Sequence, residues 1–83
     1  MDYELTQHAR DVLAERKIPV AWLERVWRNP ALIQVSQTDP EIEYRFAAIP
    51  EFGGRILRVV VNNRASPTRI VSVYFDRAMK GKL

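Results

Sequence analysis

The first apolar pattern of the chain repeats at helical spacing. Thr6 is a residue type that caps helices, and the stretch from Thr6 to about Arg16 or Lys17 keeps a helical period. At about 100° per residue, one apolar stripe is formed by Leu5, Ala9, Val12 and Leu13. The stripe predicts an amphipathic helix that packs on a core through this side.

A second helix is predicted over about residues 19–29. Pro19 suits the first turn of a helix, and Asn29-Pro30 ends it because the residue before a proline avoids helical backbone angles. Its broad apolar face is formed by Val20, Trp22, Leu23, Val26 and Trp27. Charged side chains occupy the other side, so this helix is also expected to lie on a core.

Beyond Pro30 the pattern changes to the alternation typical of strands. Strands are predicted at Leu32–Gln37, Ile42–Ile49, Arg55–Asn62 and Thr68–Phe75. In the last of them, Val71 and Val73 are expected to point to the core. The fold class is therefore α+β, with two N-terminal helices packed on a three- to four-stranded antiparallel sheet. The helices should cover one sheet face and leave the other available to a partner.

The composition of the chain excludes several kinds of functional site. The chain has 83 residues, which is one domain over residues 1–83, with no cysteine and one histidine. Thiolate metal sites, disulfides and multi-histidine metal sites are thereby excluded, and no cofactor is expected. No apolar run is long enough to span a membrane, and the acidic start lacks the order of a signal peptide. The cytoplasm is the expected compartment.

Charge is distributed unevenly along the chain. Residues 1–43 carry five cations and eight acids, whereas residues 44–83 carry eight cations and two acids. Ten of the thirteen cations are arginine, which favours bidentate contacts with phosphate or carboxylate. The basic half is expected to meet RNA, DNA or an acidic partner, and the alternative is an ordinary solvated surface.

Two residues of the first helix are candidates for a site. His8 is the only histidine, and it either transfers protons near neutral pH or forms a structural hydrogen bond. Arg16 projects into the apolar stripe, so its guanidinium must pass the helix end or pair with a carboxylate. We expect it to be fixed by a carboxylate, for example Asp76 or Glu43, or by the sheet.

In the sheet, Arg58 interrupts an apolar run where an apolar residue is expected. A simple hairpin at Asn63–Pro67 brings Arg58 opposite Ser72, on the same face as Tyr74. Arg45 joins them in one register and moves to the opposite face if the register slips by one residue. Arginine and tyrosine together can hold a base or ribose and neutralise a phosphate. The alternative is a solvated face with ordinary cross-strand pairs.

A short motif in the first helix consists of His8 and Ala9, followed by Leu13 and Arg16. It resembles the typical start of a bacterial family, the domain of unknown function family 4258. Residues 54–61 and 70–74 resemble its two closing strands, so the resemblance covers nearly the whole chain. The family looks like a distant relative of the RelE/ParE toxins, which pair two helices with an antiparallel sheet and are neutralised by an antitoxin. The chain departs from the RelE pattern because it shows no leading strand and no histidine near the C-terminus.

Two functions are compatible with these observations. The first is a metal-independent ribonuclease of the RelE toxin type, acting on RNA or on the ribosome. In it His8 or Tyr74 exchanges protons while Arg58 and other arginines stabilise the phosphorane. The second is a non-catalytic binding module that docks a protein, such as an acidic antitoxin, or a second copy of itself. The residues expected to bind RNA or the partner are Arg16, Arg45, Arg55, Arg77 and Lys80.

Overall fold

The structure is a computed structural model that describes residues 3–83. Its helices are α1 (Gln7–Glu15) and α2 (Val20–Arg28). Its strands are β1 (Tyr3–Leu5), β2 (Leu32–Val35), β3 (Ile42–Ile49), β4 (Arg55–Asn62) and β5 (Thr68–Phe75). Two short 3-10 turns follow β3 and β5, at Pro50–Phe52 and Arg77–Met79. Within the described residues, neither helix has the length and apolar character of a membrane span.

The strands form one mixed sheet in the order β1-β5-β4-β3-β2. The predicted α+β class is confirmed, with one strand more than the sequence indicated. The added strand, β1, pairs in parallel with β5, and the Thr6 N–H continues this pairing by donating to the Ile70 carbonyl at 3.0 Å. A strand of three residues is too short to show an alternation, so its absence from the sequence prediction has a simple cause. The expectation that the chain lacks a leading strand is wrong.

The N-terminus of α1 is capped as the sequence predicts. Thr6 Oγ1 accepts a hydrogen bond from the Ala9 N–H at 3.1 Å and donates to the Val71 carbonyl at 3.0 Å. One hydroxyl thus satisfies a free N–H of the helix and ties the helix start to β5.

The core lies between the two helices and one face of the sheet. Its fully buried side chains from the helices and from β4 and β5 are Ala9, Leu23, Val26, Leu57, Val59, Val61, Ile70 and Val73. Leu13 is also buried, while Leu5, Val12 and Trp27 pack against the core and are partly exposed. We call the other side of the sheet, which carries no helix, the open face.

A β-bulge in β5 changes which of its residues face the core, and the prediction that Val71 points to the core is wrong. Val60 pairs with Ser72 but Val61 pairs with Ile70, so Val71 has no partner position on β4. The extra residue reverses the alternation at this point, because two residues of one strand oppose one of the other. Ile70 is therefore fully buried and Val71 only partly. The same register places Arg58 opposite Tyr74, and the prediction that it faces Ser72 is wrong.

Candidate anion-binding cleft

A cleft of about 750 Å³ opens where the connection between α1 and α2 meets the turn after β3 and the end of β5. Its cations are Arg16, Lys17, Arg55, Arg77 and Lys80. Its aromatic side chains are Trp22, Phe52, Tyr74 and Phe75. No aspartate or glutamate of residues 3–83 lines it. We call this feature the cationic cleft, and its charge favours an anionic ligand over a cationic one.

Three of the aromatic rings form a continuous floor. The ring centroids of Phe52 and Phe75 lie 5.0 Å apart, and the Trp22 ring lies 5.6 Å from Phe52 and 6.3 Å from Phe75. The Arg55 guanidinium stacks on Phe52, with its central carbon 4.7 Å from the ring centroid. Planar apolar surface and positive charge therefore adjoin each other in the cleft.

The turn that carries Phe52 is tied to α2 by a bidentate ion pair. Arg25 donates from Nη1 and Nη2 to the two carboxylate oxygens of Glu51, at 2.8 and 2.6 Å. This hydrogen bonding from Arg25 is the main reason that the pKa of Glu51 is lowered to about 2. Because α2 also carries Trp22, the pair holds Phe52 beside its aromatic neighbour.

Lys17 lies at the rim of the cleft in a left-handed backbone conformation, with φ of 54°. The Ile18 N–H donates to the Leu13 carbonyl at 2.9 Å and the Lys17 N–H to the Ala14 carbonyl at 3.3 Å, which is the Schellman pattern that ends a helix. Glycine is the usual residue at this position, since a Cβ there costs about 1–2 kcal/mol. Lys17 therefore adds a cation to the cleft at a position where a side chain is strained.

Arg77 and Lys80 line the cleft from the turn that follows β5. Asp76 Oδ1 accepts a hydrogen bond from the Ala78 N–H at 3.0 Å and so caps this turn. The other oxygen of Asp76 accepts from Arg58 Nη1 at 3.1 Å. Arg58 thus supports the turn from the open face, although it does not line the cleft itself.

Arg58 is enclosed rather than presented to solvent. Its guanidinium carbon lies 4.1 Å from the ring centroid of Tyr44, 5.2 Å from that of Phe46 and 5.5 Å from that of Tyr74. Its side chain is 22% exposed, and its Nε has no hydrogen-bond partner within the described part of the chain. The arginine that interrupts the apolar run therefore fills an aromatic cluster of the open face. Tyr74 lies beside it as predicted, and it also lines the cleft.

Arg45 lies on the opposite face of the sheet from Arg58. It pairs with Val59, whose side chain is in the core, so the register that joins Arg45 to Arg58 is not formed. Arg45 donates to Glu43 and to the Trp27 carbonyl, each at 2.7 Å, and its guanidinium carbon lies 4.2 Å from the Trp27 ring centroid. These contacts satisfy the guanidinium within the fold.

The two candidate site residues predicted on the first helix, His8 and Arg16, lie in different parts of the structure. His8 is exposed on the helix and does not line the cleft. Arg16 does line the cleft, but the expected pair with Asp76 or Glu43 is wrong because those carboxylates hold Arg58 and Arg45. Arg16 is the C-terminal cap of α1, and from that position its side chain leaves the apolar stripe past the helix end.

The structure therefore brings together Arg16, Arg55, Tyr74, Arg77 and Lys80, and leaves His8, Arg45 and Arg58 outside. Lys17 and the aromatic floor were not singled out from the sequence. The sequence contains one weak indication that Phe52 has a role outside the core. Phe52 lies in a predicted loop just before two glycines, where an aromatic residue of the core is not expected. No group of three or more histidine, aspartate or glutamate side chains in residues 3–83 is placed to hold a metal ion.

Comparison with known families matches residues 5–75 to the domain of unknown function (DUF4258). The match covers most of the chain, so the protein belongs to this family. Neither the curated proteins nor the solved structures gave a match. The likeness to RelE/ParE toxins stays a prediction.

The Arg25–Glu51 pair leads to a prediction about pH. We expect Glu51→Gln to lower the thermal unfolding midpoint at pH 7, and the difference from wild type to shrink as the pH falls from 4.5, the ordinary pKa, towards 2. The pKa of Glu51 is lowered on folding, so the unfolded chain gains its proton first and the stabilisation is lost across that window. Glu41→Gln is the control, since Glu41 is exposed and forms no ion pair with any described residue. A difference that stays constant from pH 7 to pH 2 would contradict the role of the pair.

Proposed function

We propose that this protein binds a strand of RNA in the cationic cleft. The observation that supports the proposal is the convergence of five cations from three separate segments on one cleft lined by no carboxylate of the described residues. Like charges repel one another, and a bound polyanion relieves that repulsion. The floor of Trp22, Phe52 and Phe75 adds the flat apolar surface that nucleic-acid bases use and that a phosphate alone does not need.

Arginine predominates among the cations of the cleft, with Arg16, Arg55 and Arg77 beside two lysines. A guanidinium offers two parallel donors to one phosphate, which fixes its orientation. Contacts of this kind hold a backbone without reading its sequence. A protein that binds cellular RNA in this way would act in the cytoplasm, the compartment that the sequence favours.

Binding is predicted to depend steeply on salt. For fluorescently labelled single-stranded RNA, the logarithm of affinity should fall with the logarithm of salt concentration by about 0.7 per phosphate contact. Arg77→Ala should weaken binding by about tenfold, equivalent to about 1.4 kcal/mol, and should reduce the salt slope by about one contact. Fluorescence anisotropy over a salt series measures both quantities.

Arg64→Ala is the matched control, because it removes the same charge from an exposed turn outside the cleft. Equal losses in the two variants would mean that net charge alone attracts RNA. An acidic peptide of equal charge is the competing ligand for the same cleft. If the peptide binds more tightly than RNA, the protein-docking module becomes the better account.

Cleavage of the bound RNA is a second candidate function, and the position of Tyr74 favours it. Tyr74 is 38% exposed and lines the cleft together with the cations. Metal-independent cleavage needs a group that exchanges a proton with the ribose 2′-OH or the leaving oxygen, and cations that stabilise the phosphorane. In that case the protein is a ribonuclease of the RelE toxin type, and an acidic antitoxin segment would neutralise it by occupying the cleft.

For this candidate, Tyr74→Phe is predicted to abolish RNA cleavage while keeping RNA affinity within about twofold, since it removes the hydroxyl and retains the ring. Cleavage is measured on labelled RNA with a chelator present, and growth is followed after induction of each variant. Wild type should arrest growth and Tyr74→Phe should not. Intact RNA and normal growth with wild type would exclude the ribonuclease and leave the binding function in place.

A further inference from the structure

An exposed phenylalanine lines the cationic cleft. Phe52 is 40% exposed, although its neighbours Trp22 and Phe75 are partly buried. We propose that Phe52 is a stacking platform for an unpaired base, so that the cleft takes single-stranded nucleic acid in preference to a duplex. This inference rests on the proposed function and names the class of nucleic acid.

The backbone around Phe52 fixes the position of the ring. Pro50 begins the 3-10 turn, and the Arg25–Glu51 ion pair ties the turn to α2. Gly53 and Gly54 follow with φ of 68° and 71°, so that the chain reverses at once into β4. A ring held in this way loses little conformational freedom when a ligand stacks on it.

The Phe52 ring can stack against a planar cation or a nucleobase. The Arg55 guanidinium already stacks on Phe52 at 4.7 Å, and the Trp22 ring flanks it at 5.6 Å. A nucleobase is also planar and delocalised, and it can stack on the ring beside Arg55 or in its place. Arg55 then lies next to the phosphate attached to that nucleotide.

Duplex bases are already paired and stacked, so their faces do not reach a platform at the floor of a cleft. Stacking of one base on an aromatic side chain raises affinity by about 5- to 150-fold. The cations of the cleft attract single and double strands alike. Preference for the single strand therefore depends on the ring and not on the charge.

The test compares two polyanions on wild type and Phe52→Leu, a change that keeps an apolar side chain and removes the ring. The probes are a single-stranded RNA octamer and inorganic polyphosphate, which carries similar charge without bases. Phe52→Leu should lower affinity for the octamer by about 5- to 150-fold and leave polyphosphate binding within about twofold. Phe52→Tyr retains the ring and should bind the octamer as wild type does. Wild type should also bind the octamer more tightly than a duplex of the same sequence.

An octamer of abasic nucleotides gives a second measurement that needs no variant. On wild type it should bind only as tightly as polyphosphate. The proposal that Phe52 is a stacking platform is wrong if Phe52→Leu binds the RNA octamer as tightly as wild type. It is also wrong if the abasic octamer binds as tightly as the RNA octamer. Neither result would contradict RNA binding in the cleft. If wild type binds neither the octamer nor polyphosphate at low salt, the proposed function itself fails.

Discussion

Two nine-residue helices cover one face of a five-stranded sheet, and the burial of that face determines where the core and the cleft lie. Leu23 and Val26 from α2, together with Ala9 from α1, are completely removed from solvent against the sheet. Apolar burial of this kind is the main stabilising term in so small a domain. The cationic cleft lies where this cover ends, at the connection of the helices. Side chains from that connection, from α2, from the turn after β3, from the start of β4 and from the end of β5 meet there.

Support for the cleft comes from ion pairs outside it. Arg25 and Glu51 hold one wall, while Arg58 and Asp76 hold the turn that forms the other. In each pair the carboxylate is satisfied by an arginine that does not line the cleft. No aspartate or glutamate among the described residues lines the cleft. The arrangement leaves the cleft positively charged while the two supporting ion pairs have their charges matched.

The sequence predicted the helices, the long strands and the one-sided cover, because hydrophobic periodicity is a local property of the chain. The bulge at Val71 and the position of Arg45 depend on register, which local alternation does not determine. The resemblance to the family is confirmed over residues 5–75, and it brings no assigned site with it. Arg58 illustrates the limit best: an arginine in an apolar run stands out in the sequence, yet only the structure places it against Tyr44 and Asp76 and outside the cleft.

Lys17 offers the most direct measurement of whether the cleft is the functional site. The chain carries a lysine in a left-handed conformation that glycine would adopt without strain. Lys17→Gly should therefore raise the free energy of unfolding by about 0.5–1 kcal/mol. This value is the backbone strain that is relieved minus the cost of the greater conformational entropy that glycine has in the unfolded chain. The same variant should lower RNA affinity by about tenfold, whereas Lys17→Arg should retain it. Stability that rises while RNA affinity falls is the result that this account predicts. A stabilised Lys17→Gly variant that binds RNA as tightly as wild type would contradict it.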